Sequence, residues 1–186
     1  MEIRKALPSD AHYISLLGKI TFADTFRHYF RKPEELKHYL SITFAEEKIA
    51  KSIAKENNTY WLAIIDGLAV GYAKLKKDSA FKGLKVKRPA QLQKIYILRN
   101  FHGAGVGKAL LDAAVKEATA SDSDGLWLSV LESNEKAKGF YEKAKFSPAG
   151  NHTFSIGSEE FYFSVMHLPL AVKTATPKKR ALVLEY

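Results

Sequence analysis

The segment His102–Lys108 holds the residues whose types and spacing point most directly to chemistry. Its sequence, HGAGVGK, places three glycines one residue apart and ends in a lysine. The apolar residues 92–98 before it are typical of a buried strand, and apolar residues recur at helical spacing from Val106 onward. The pattern predicts a strand, a tight turn and a helix that begins near Gly105. Because a helix N-terminus carries unpaired N–H groups and about half a positive charge, this glycine-rich segment predicts an anion site, most naturally for phosphate.

Two common phosphate-binding motifs do not match the glycine-rich segment. A Walker A loop needs a glycine where His102 stands and a Ser or Thr where Ala109 stands. A dinucleotide-binding fingerprint needs a glycine at the position of Lys108. A run of glycines before a helix is also typical of a tight turn without a ligand, so the neighbouring elements have to decide.

Those neighbouring elements predict one α/β domain that positions the segment between a strand and a helix. Near the start, Ser9 or Asp10 is the predicted cap of a first helix. The pair Asp66-Gly67 between two apolar runs predicts a two-residue hairpin. Farther on, residues 126–131 are typical of a strand and residues 134–144 of a helix, with its first residue as cap.

Strand, glycine-rich segment and helix together resemble the acetyl-CoA-binding motif of the GNAT N-acetyltransferases. That motif reads Arg or Gln, two residues, Gly, one residue, then Gly or Ala. The strand at 126–130, Asn134 and the sequence GFYEK at 139–143 resemble the second half of the same family. The resemblance extends over roughly residues 2–168.

Two further stretches resemble one branch of the family, the PaiA-type spermidine/polyamine N-acetyltransferases. They are ITFADTF at 20–26 and NHTF at 151–154. The resemblance implies an α/β chain with the GNAT (acyl-CoA N-acyltransferase) fold, a mixed central sheet of about seven strands flanked by helices. We expect one such domain over residues 1–170 and a basic, apolar tail over residues 171–186.

The resemblance also implies a reaction. Acetyl-CoA is then the cosubstrate, and its acetyl group passes directly to a primary amine within a ternary complex. The acceptor is a small-molecule amine, polyamine-like or otherwise, or an amine of a protein. A second interpretation is a CoA-binding regulatory protein with weak catalysis or none.

The implied cosubstrate contacts come from the central strand, the glycine-rich segment and the helix that follows the next strand. They are Ile95, Tyr96, Ile97, His102, Gly103, Ala104, Gly105, Val106, Gly107, Lys108, Asn134 and Lys143. The pantetheine arm would lie along the strand, and the pyrophosphate would lie on main-chain N–H groups of the segment. The histidine at its start stands in the usual Arg/Gln position, although a surface histidine is the plainer interpretation. For Lys143 two interpretations also stand: it contacts a phosphate group of the cosubstrate, or it is only solvated.

Tyr141 is the candidate general acid, because the family has a tyrosine here that protonates the departing thiolate. A phenol with a pKa near 10 suits a thiolate with a pKa of about 8.5 or somewhat above. Tyr141 lies seven residues after Asn134, about two helical turns away on the same face. The alternative is that Tyr141 belongs only to the core.

No general base stands out in the sequence. Relatives place glutamate on the central strand, where this chain has Gln91 and Gln93, and glutamine cannot accept a proton. The remaining candidates are Asp24, Glu132 and His152.

Composition excludes several classes. The chain has no cysteine, which rules out disulfides, thiolate metal sites and a cysteine acyl-enzyme, and we expect no metal site. No segment is apolar enough to cross a membrane and the amino terminus lacks a signal-peptide pattern, so we expect a cytoplasmic protein without membrane contact. The resemblance is also compatible with a homodimer.

The net charge of +9 favours an anionic ligand. Nucleic acid is not the expected partner, because the basic residues are spread out apart from residues 74–88 and 178–180, and no nucleic-acid-binding motif appears. The basic stretch 74–88 disfavours a polycation by on the order of a kcal/mol per close charge. We therefore expect a smaller amine, an amino-acid derivative or a protein amine rather than a polyamine.

Overall fold

The computed structural model describes residues 1–171, so most of the predicted tail lies outside the described residues. The described residues form seven strands: β1 (Glu2–Lys5), β2 (Asn58–Ile65), β3 (Leu68–Lys76), β4 (Pro89–Ile97), β5 (Gly125–Leu131), β6 (Ser147–Ile156) and β7 (Glu159–Pro169). They also form five α-helices: α1 (Ala11–Phe26), α2 (Pro33–Thr43), α3 (Glu46–Ile53), α4 (Val106–Ala120) and α5 (Glu135–Lys143). Within residues 1–171, no helix combines the length and apolarity needed to cross a membrane.

The strands form one mixed sheet in the order β1-β2-β3-β4-β5-β7-β6. Neighbours pair antiparallel except β4 and β5, which are parallel. A parallel pair needs a crossover, and α4 supplies it. At the predicted hairpin, Asp66 and Gly67 both have positive φ, 50° and 78°, as a two-residue turn with the twist of the strands requires. The sheet confirms the predicted architecture.

Each face of the sheet carries its own apolar core. One cluster joins α4 and α5 to the sheet, with Leu110, Ala114 and Leu126 fully buried. The other lies under α1, α2 and α3 and includes Ile14 and Leu62. Since burying one large aliphatic side chain contributes about 1.5–3 kcal/mol, both helical layers are held mainly by this packing.

The central strand β4 contains a bulge at Gln93. Across the β3–β4 ladder Lys74 pairs with Lys94 and Leu75 with Leu92, which leaves Gln93 without an opposite residue. An extra residue reverses the alternation of side chains between the two faces. Leu92 therefore packs on the α4 face before the bulge, and Ile95 packs on that same face after it.

Beyond the bulge, β4 also loses its parallel neighbour. The β4–β5 ladder contains three pairs and ends at Gln91 opposite Trp127. Residues 92–98 were expected to form a uniformly buried strand, and this is wrong in part: Gln93 is exposed and residues 94–98 are only half-buried. The cause is the opening between the two strands, which we call the β4–β5 gap.

The start of α1 differs from the predicted cap. Asp10 occupies the N-cap position, but neither its side chain nor that of Ser9 caps the helix. Instead the Asp10 carboxylate accepts two hydrogen bonds of 2.8 Å from the Arg4 guanidinium and one of 2.7 Å from the Leu7 N–H. The bidentate guanidinium contact competes successfully with the helix N–H groups because both of its partners are charged.

The Asp10–Arg4 pair predicts a pH-dependent contribution to stability. The Arg4 hydrogen bonds and the Leu7 N–H hold the pKa of Asp10 below its usual range, against the effect of burial. A carboxyl with a lowered folded-state pKa stabilises fully above its unfolded pKa of about 3.9, and that stabilisation is lost as pH falls toward the folded-state pKa. Asp10→Asn should lower the free energy of unfolding by about 1–3 kcal/mol at pH 7, as expected for a hydrogen bond to a charged group.

Urea titrations from pH 7 to pH 3 would measure this difference, which should shrink at the acid end. Glu135→Gln is the matched control, because Glu135 is exposed and its pair with Lys138 lies at the surface. A difference for Asp10→Asn that stays constant over the pH range would contradict the ion-pair origin.

Candidate active site

The β4–β5 gap exposes one edge of the main chain of β4. The Leu98 N–H donates to Val70 O at 2.9 Å across the β3–β4 ladder. The main-chain N–H and C=O groups of successive residues on an antiparallel strand point to alternate sides. Those of Ile95 and Ile97 therefore point away from β3, into the gap. Within residues 1–171, no strand pairs with this edge beyond Gln91. An extended ligand with its own amides could therefore pair with β4 here.

Tyr96 has the opposite orientation to its two neighbours. It pairs with Tyr72 across the β3–β4 ladder, so its main chain is directed toward β3 rather than into the gap. Its ring packs on the α1–α3 face, 5.6 Å from the Tyr72 ring and 6.3 Å from the Phe44 ring between centroids. Any contact of Tyr96 with a ligand in the gap would therefore come from its side chain.

The glycine-rich segment ends in five unpaired N–H groups. The His102 N–H donates to Arg99 O at 3.1 Å, and the Ala104 N–H makes a long contact of 3.4 Å with Phe101 O. The first N–H bonded within α4 is that of Ala109, to Gly105 O. Among the described residues, five main-chain N–H groups of the segment make no hydrogen bond: those of Gly103, Gly105, Val106, Gly107 and Lys108. The sequence predicted N–H groups from His102 to Lys108 as donors to the pyrophosphate, and the turn itself uses those of His102 and Ala104.

Glycine is required here by geometry. Gly103 and Gly105 have φ values of +85° and +80°, in the left-handed region that other residues avoid. Gly107 has ordinary φ but lies close to the strand, because a Cβ there would approach Ile97 Cδ1 to 3.2 Å. The segment is thus shaped both to present its N–H groups and to seat α4 against the end of β4.

The His102 side chain links this turn to the end of β4 by a hydrogen bond. Its Nε2–H donates to the carbonyl oxygen of Ile97 at 3.0 Å, and its ring is exposed. The structure therefore gives the histidine a contact that neither sequence interpretation included. Lys108 is exposed and paired with Asp112, while Lys143 is exposed in the last turn of α5.

Helix α5 brings an amide and a phenol to the same face. The Asn134 Oδ1 accepts the Ala137 N–H at 3.1 Å, which confirms the predicted cap and leaves the amide nitrogen of Asn134 to donate elsewhere. Tyr141 is buried, and its ring packs edge-on to those of Phe140 and Phe146, with centroids 5.1 and 5.7 Å away.

Burial raises the pKa of Tyr141. The pKa of Tyr96 is also raised, first by burial and then by nearby phenols including that of Tyr141. Tyr96 belongs to β4, which borders the β4–β5 gap, and Tyr141 belongs to α5. Tyr141 makes no hydrogen bond to any residue within 1–171, so its packing in the core leaves the hydroxyl group uncommitted.

The three candidate bases have different surroundings. Asp24 and Glu132 are exposed, whereas His152 is half-buried and stacks on Phe163 with centroids 5.3 Å apart. The His152 Nε2 lies 2.8 Å from Ser129 Oγ, which belongs to β5. Among the three, the His152 side chain bonds β5 through Ser129, while Glu132 directly follows the last residue of β5. Within the described range, no three His, Asp or Glu side chains cluster as a metal site requires.

Comparison with known proteins places these features in context. A family model described as the acetyltransferase (GNAT) family matches residues 21–146. An uncharacterized N-acetyltransferase of Lactobacillus delbrueckii subsp. lactis is 31% identical over 143 residues, covering 77% of this chain and 82% of that protein. An uncharacterized N-acetyltransferase of Mycobacterium tuberculosis is 31% identical over 140 residues, covering 73% and 84%.

Solved structures share the fold at lower identity. The PaiA N-acetyltransferase of Thermoplasma acidophilum, crystallised in complex with coenzyme A, is 19% identical with a TM-score of 0.69, over 91% of this chain and 98% of that one. NAA60 of Arabidopsis thaliana, in complex with a bisubstrate analogue, is 14% identical with a TM-score of 0.71, over 92% and 99%. At these identities the likeness shows the fold alone.

The unpaired N–H groups predict that Gly103→Ala weakens CoA binding. The new Cβ and the strained φ turn the Gly103 N–H away from its ligand. Since a hydrogen bond to a charged group contributes about 1.5–3 kcal/mol, calorimetric affinity for CoA should fall by about tenfold to a hundredfold.

Gly83→Ala is the matched control for Gly103→Ala. Gly83 has a φ of +103°, and a Cβ at either glycine meets no atom within 4 Å. Both substitutions carry the same kind of backbone strain, about 1–2 kcal/mol, but Gly83 precedes β4 while Gly103 follows it. An equal loss of CoA affinity in both variants would mean that strain, rather than the N–H groups, is responsible.

Proposed function

Because the chain belongs to the GNAT family of acetyltransferases, we propose that it transfers the acetyl group of acetyl-CoA directly to a primary amine in a ternary complex. One observation carries the proposal. The open main-chain edge of β4 leads directly to five unpaired N–H groups at the start of α4. This arrangement suits a ligand that has amides at one end and a pyrophosphate at the other. We treat residues 1–170 as the one domain that performs this reaction.

The residues at hand fit acetyl-CoA, which supplies the acetyl group as an activated thioester. Ile95 would pair with the amides of the pantetheine arm through its main chain, and Ile97 would do so through its N–H, because its carbonyl oxygen already accepts the His102 ring N–H. The N–H groups of Gly103 and of residues 105–108 would hold the pyrophosphate, assisted by the helix dipole. Asn134 retains an amide nitrogen that can donate to the arm.

Tyr141 is proposed to hold the proton that the departing thiolate needs. Its raised pKa keeps the phenol protonated throughout the neutral range. The chain has no cysteine that could form a thioester intermediate. In the proposed direct transfer the amine itself attacks the acetyl group, so that its nitrogen gains the bond that sulfur loses. The proton released by the amine then has to leave through a base.

His152 is the proposed route for that proton. Its contact with Ser129 fixes the ring beside β5, whereas Asp24 and Glu132 are exposed and their carboxylates bond no residue within 1–171. A free amine with a pKa of roughly 10 arrives protonated, so a positioned base accelerates the reaction. Transfer through a water molecule would connect His152 with the gap.

The proposed acceptor is a small amine or a protein amine rather than a polyamine. Likeness to the Thermoplasma PaiA enzyme supports the polyamine branch only through the shared fold. Against it stand seven basic residues over 74–88, which would repel a polycation: Lys74, Lys76, Lys77, Lys82, Lys85, Lys87 and Arg88.

A second candidate function is CoA-dependent regulation without efficient catalysis. Glutamines at 91 and 93 favour this alternative, because the central strand offers no carboxylate as a base. A protein that binds CoA but releases no thiol with any amine of a broad panel would support regulation over transfer.

Tyr141→Phe tests the acid role. Loss of a general acid typically lowers kcat by about 10²–10⁴-fold, and CoA affinity and melting temperature should stay unchanged because the ring still fills its place. Released thiol, measured with acetyl-CoA and a panel of amines, gives the rate. Tyr162→Phe is the control, because the Tyr162 hydroxyl is exposed and bonds only Glu160 among the described residues. Full activity in Tyr141→Phe would remove the residue from the mechanism.

His152→Gln tests the base role. The glutamine amide can still bond Ser129 but cannot take a proton, so we expect kcat to fall by about 100-fold, within the usual range for general-base loss. Asp24→Asn and Glu132→Gln provide matched comparisons of the other two candidates and should remain near wild type. A larger loss in either of them would transfer the role away from His152.

A further inference from the structure

A pocket lined by lysines lies on the α1–α3 face of the sheet. Its volume is about 290 Å³, near the lower end of the ligand-pocket range of about 300–1,000 Å³. Residues from all of α1, α2, α3, β2, β3 and β4 line it, and three of them are Lys48, Lys74 and Lys94. Among residues 1–171, no carboxylate lines this lysine pocket. Its charge is therefore of one sign.

Lys74 and Lys94 stand directly opposite each other on β3 and β4. The Lys74 Nζ lies 5.3 Å from the centroid of the Tyr60 ring, and the Lys94 Nζ lies 4.9 Å from that of Phe44. None of the three pocket lysines forms a salt bridge with any residue in 1–171. Like charges placed opposite on neighbouring strands repel, so this pair opposes folding unless something else stabilises it.

The pKa values of these two lysines reflect their burial and the repulsion between their charges. Burial, and next the charge of Lys94, lower the pKa of Lys74 to about 8. Burial, and next the charge of Lys48, lower the pKa of Lys94 to about 8. Both remain mostly charged at neutral pH. An anion between them would relieve a repulsion that no carboxylate of the pocket lining compensates.

A second feature of the pocket that favours a ligand is a hydroxyl group without a partner within residues 1–171, that of Tyr72. Tyr72 lines the pocket and is completely buried, and its hydroxyl group makes no hydrogen bond to any described residue. A buried polar group without a partner costs about 1–3 kcal/mol. A phenol O–H and ammonium groups are all donors, which is the set that a carboxylate accepts from.

The pocket adjoins the proposed reaction site. Gln93 and Lys94 are part of its lining, and they follow the last β4–β5 pair, at Gln91, along the strand. A ligand anchored at Lys94 is therefore held where β4 opens toward the β4–β5 gap.

From this arrangement we propose that the lysine pocket binds the carboxylate of the acetyl acceptor, which makes the acceptor a small amine carrying a carboxylate, such as a free amino acid. The inference rests on the proposed acetyl transfer and narrows its substrate class. Lys74 and Lys94 are specificity residues in this scheme, and Tyr72 donates the third hydrogen bond.

Turnover of matched pairs tests the inference. Each pair is an amino acid and its decarboxylated amine: histidine and histamine, tyrosine and tyramine, lysine and cadaverine, ornithine and putrescine. For at least one pair, kcat/KM should favour the amino acid by tenfold or more, mainly through KM. Lys74→Met and Lys94→Met should each reduce that ratio by fivefold or more. Lys51→Met, an exposed position on α3 outside the pocket, should leave it unchanged.

Direct binding separates failure of this inference from failure of acetyl transfer. Calorimetry with the CoA-saturated protein would compare a panel of N-acetyl-L-amino acids with their primary amides. Tighter binding of an acid than of its amide, lost in Lys74→Met and Lys94→Met, supports the carboxylate site even if no acceptor is turned over. Equal binding of acids and amides by the wild type, or a preference that survives both substitutions, overturns it even if acetyl transfer occurs.

Discussion

The structure depends on a strand that is hydrogen-bonded on one side only over most of its length. Buried main-chain groups must find partners, and β4 finds them along β3 from Gln91 to Ile97 but along β5 only for the three pairs from Pro89 to Gln91. Past Gln91 the remaining edge of β4 has to be satisfied by something outside the sheet. This single constraint explains why the strand is half-buried, why α4 and α5 pack beside the gap, and why a ligand with amides suits the space between them.

The bulge at Gln93 links the two faces of the molecule. If the same sequence paired regularly, the side chains of β4 that face α4 would continue on even positions, as Ala90 and Leu92 do. Because of the bulge, Ile95 packs toward α4 while Lys94 points to the aromatic rings under α3. One irregularity in one strand therefore assigns cosubstrate contacts to the edge of β4 and leaves polar groups for an acceptor on the opposite face.

Much of this architecture was predictable from sequence because local signals agree with one another. The Asp66-Gly67 turn, the glycines before α4 and the Asn134 cap each act through the backbone within a few residues. The β4–β5 gap was not predictable. An apolar run has the same sequence pattern whether the neighbouring strand pairs along its whole length or diverges from it.

Contacts between side chains and neighbouring elements were equally hidden from the sequence. The Asp10 carboxylate bonds Arg4 rather than capping α1, and the His102 ring bonds the carbonyl oxygen of Ile97. Lys74 and Lys94 are twenty residues apart in a chain rich in lysine, so only the β3–β4 register brings them together. Patterns of spacing describe single elements, whereas these contacts depend on how elements meet.

The extra residue at Gln93 also limits how this chain can vary in length. Removing Gln93 alone would make the ladder regular and keep every later residue on its present face, because Lys94 already stands opposite Lys74. Removing a residue after the bulge, such as Ile95, would exchange the two faces of the rest of the strand. Tyr96 would then turn toward the apolar layer beneath α4, and Ile97 would take its place among the aromatic rings. The strand can therefore become shorter at its bulge, but not beyond it, without exchanging its faces.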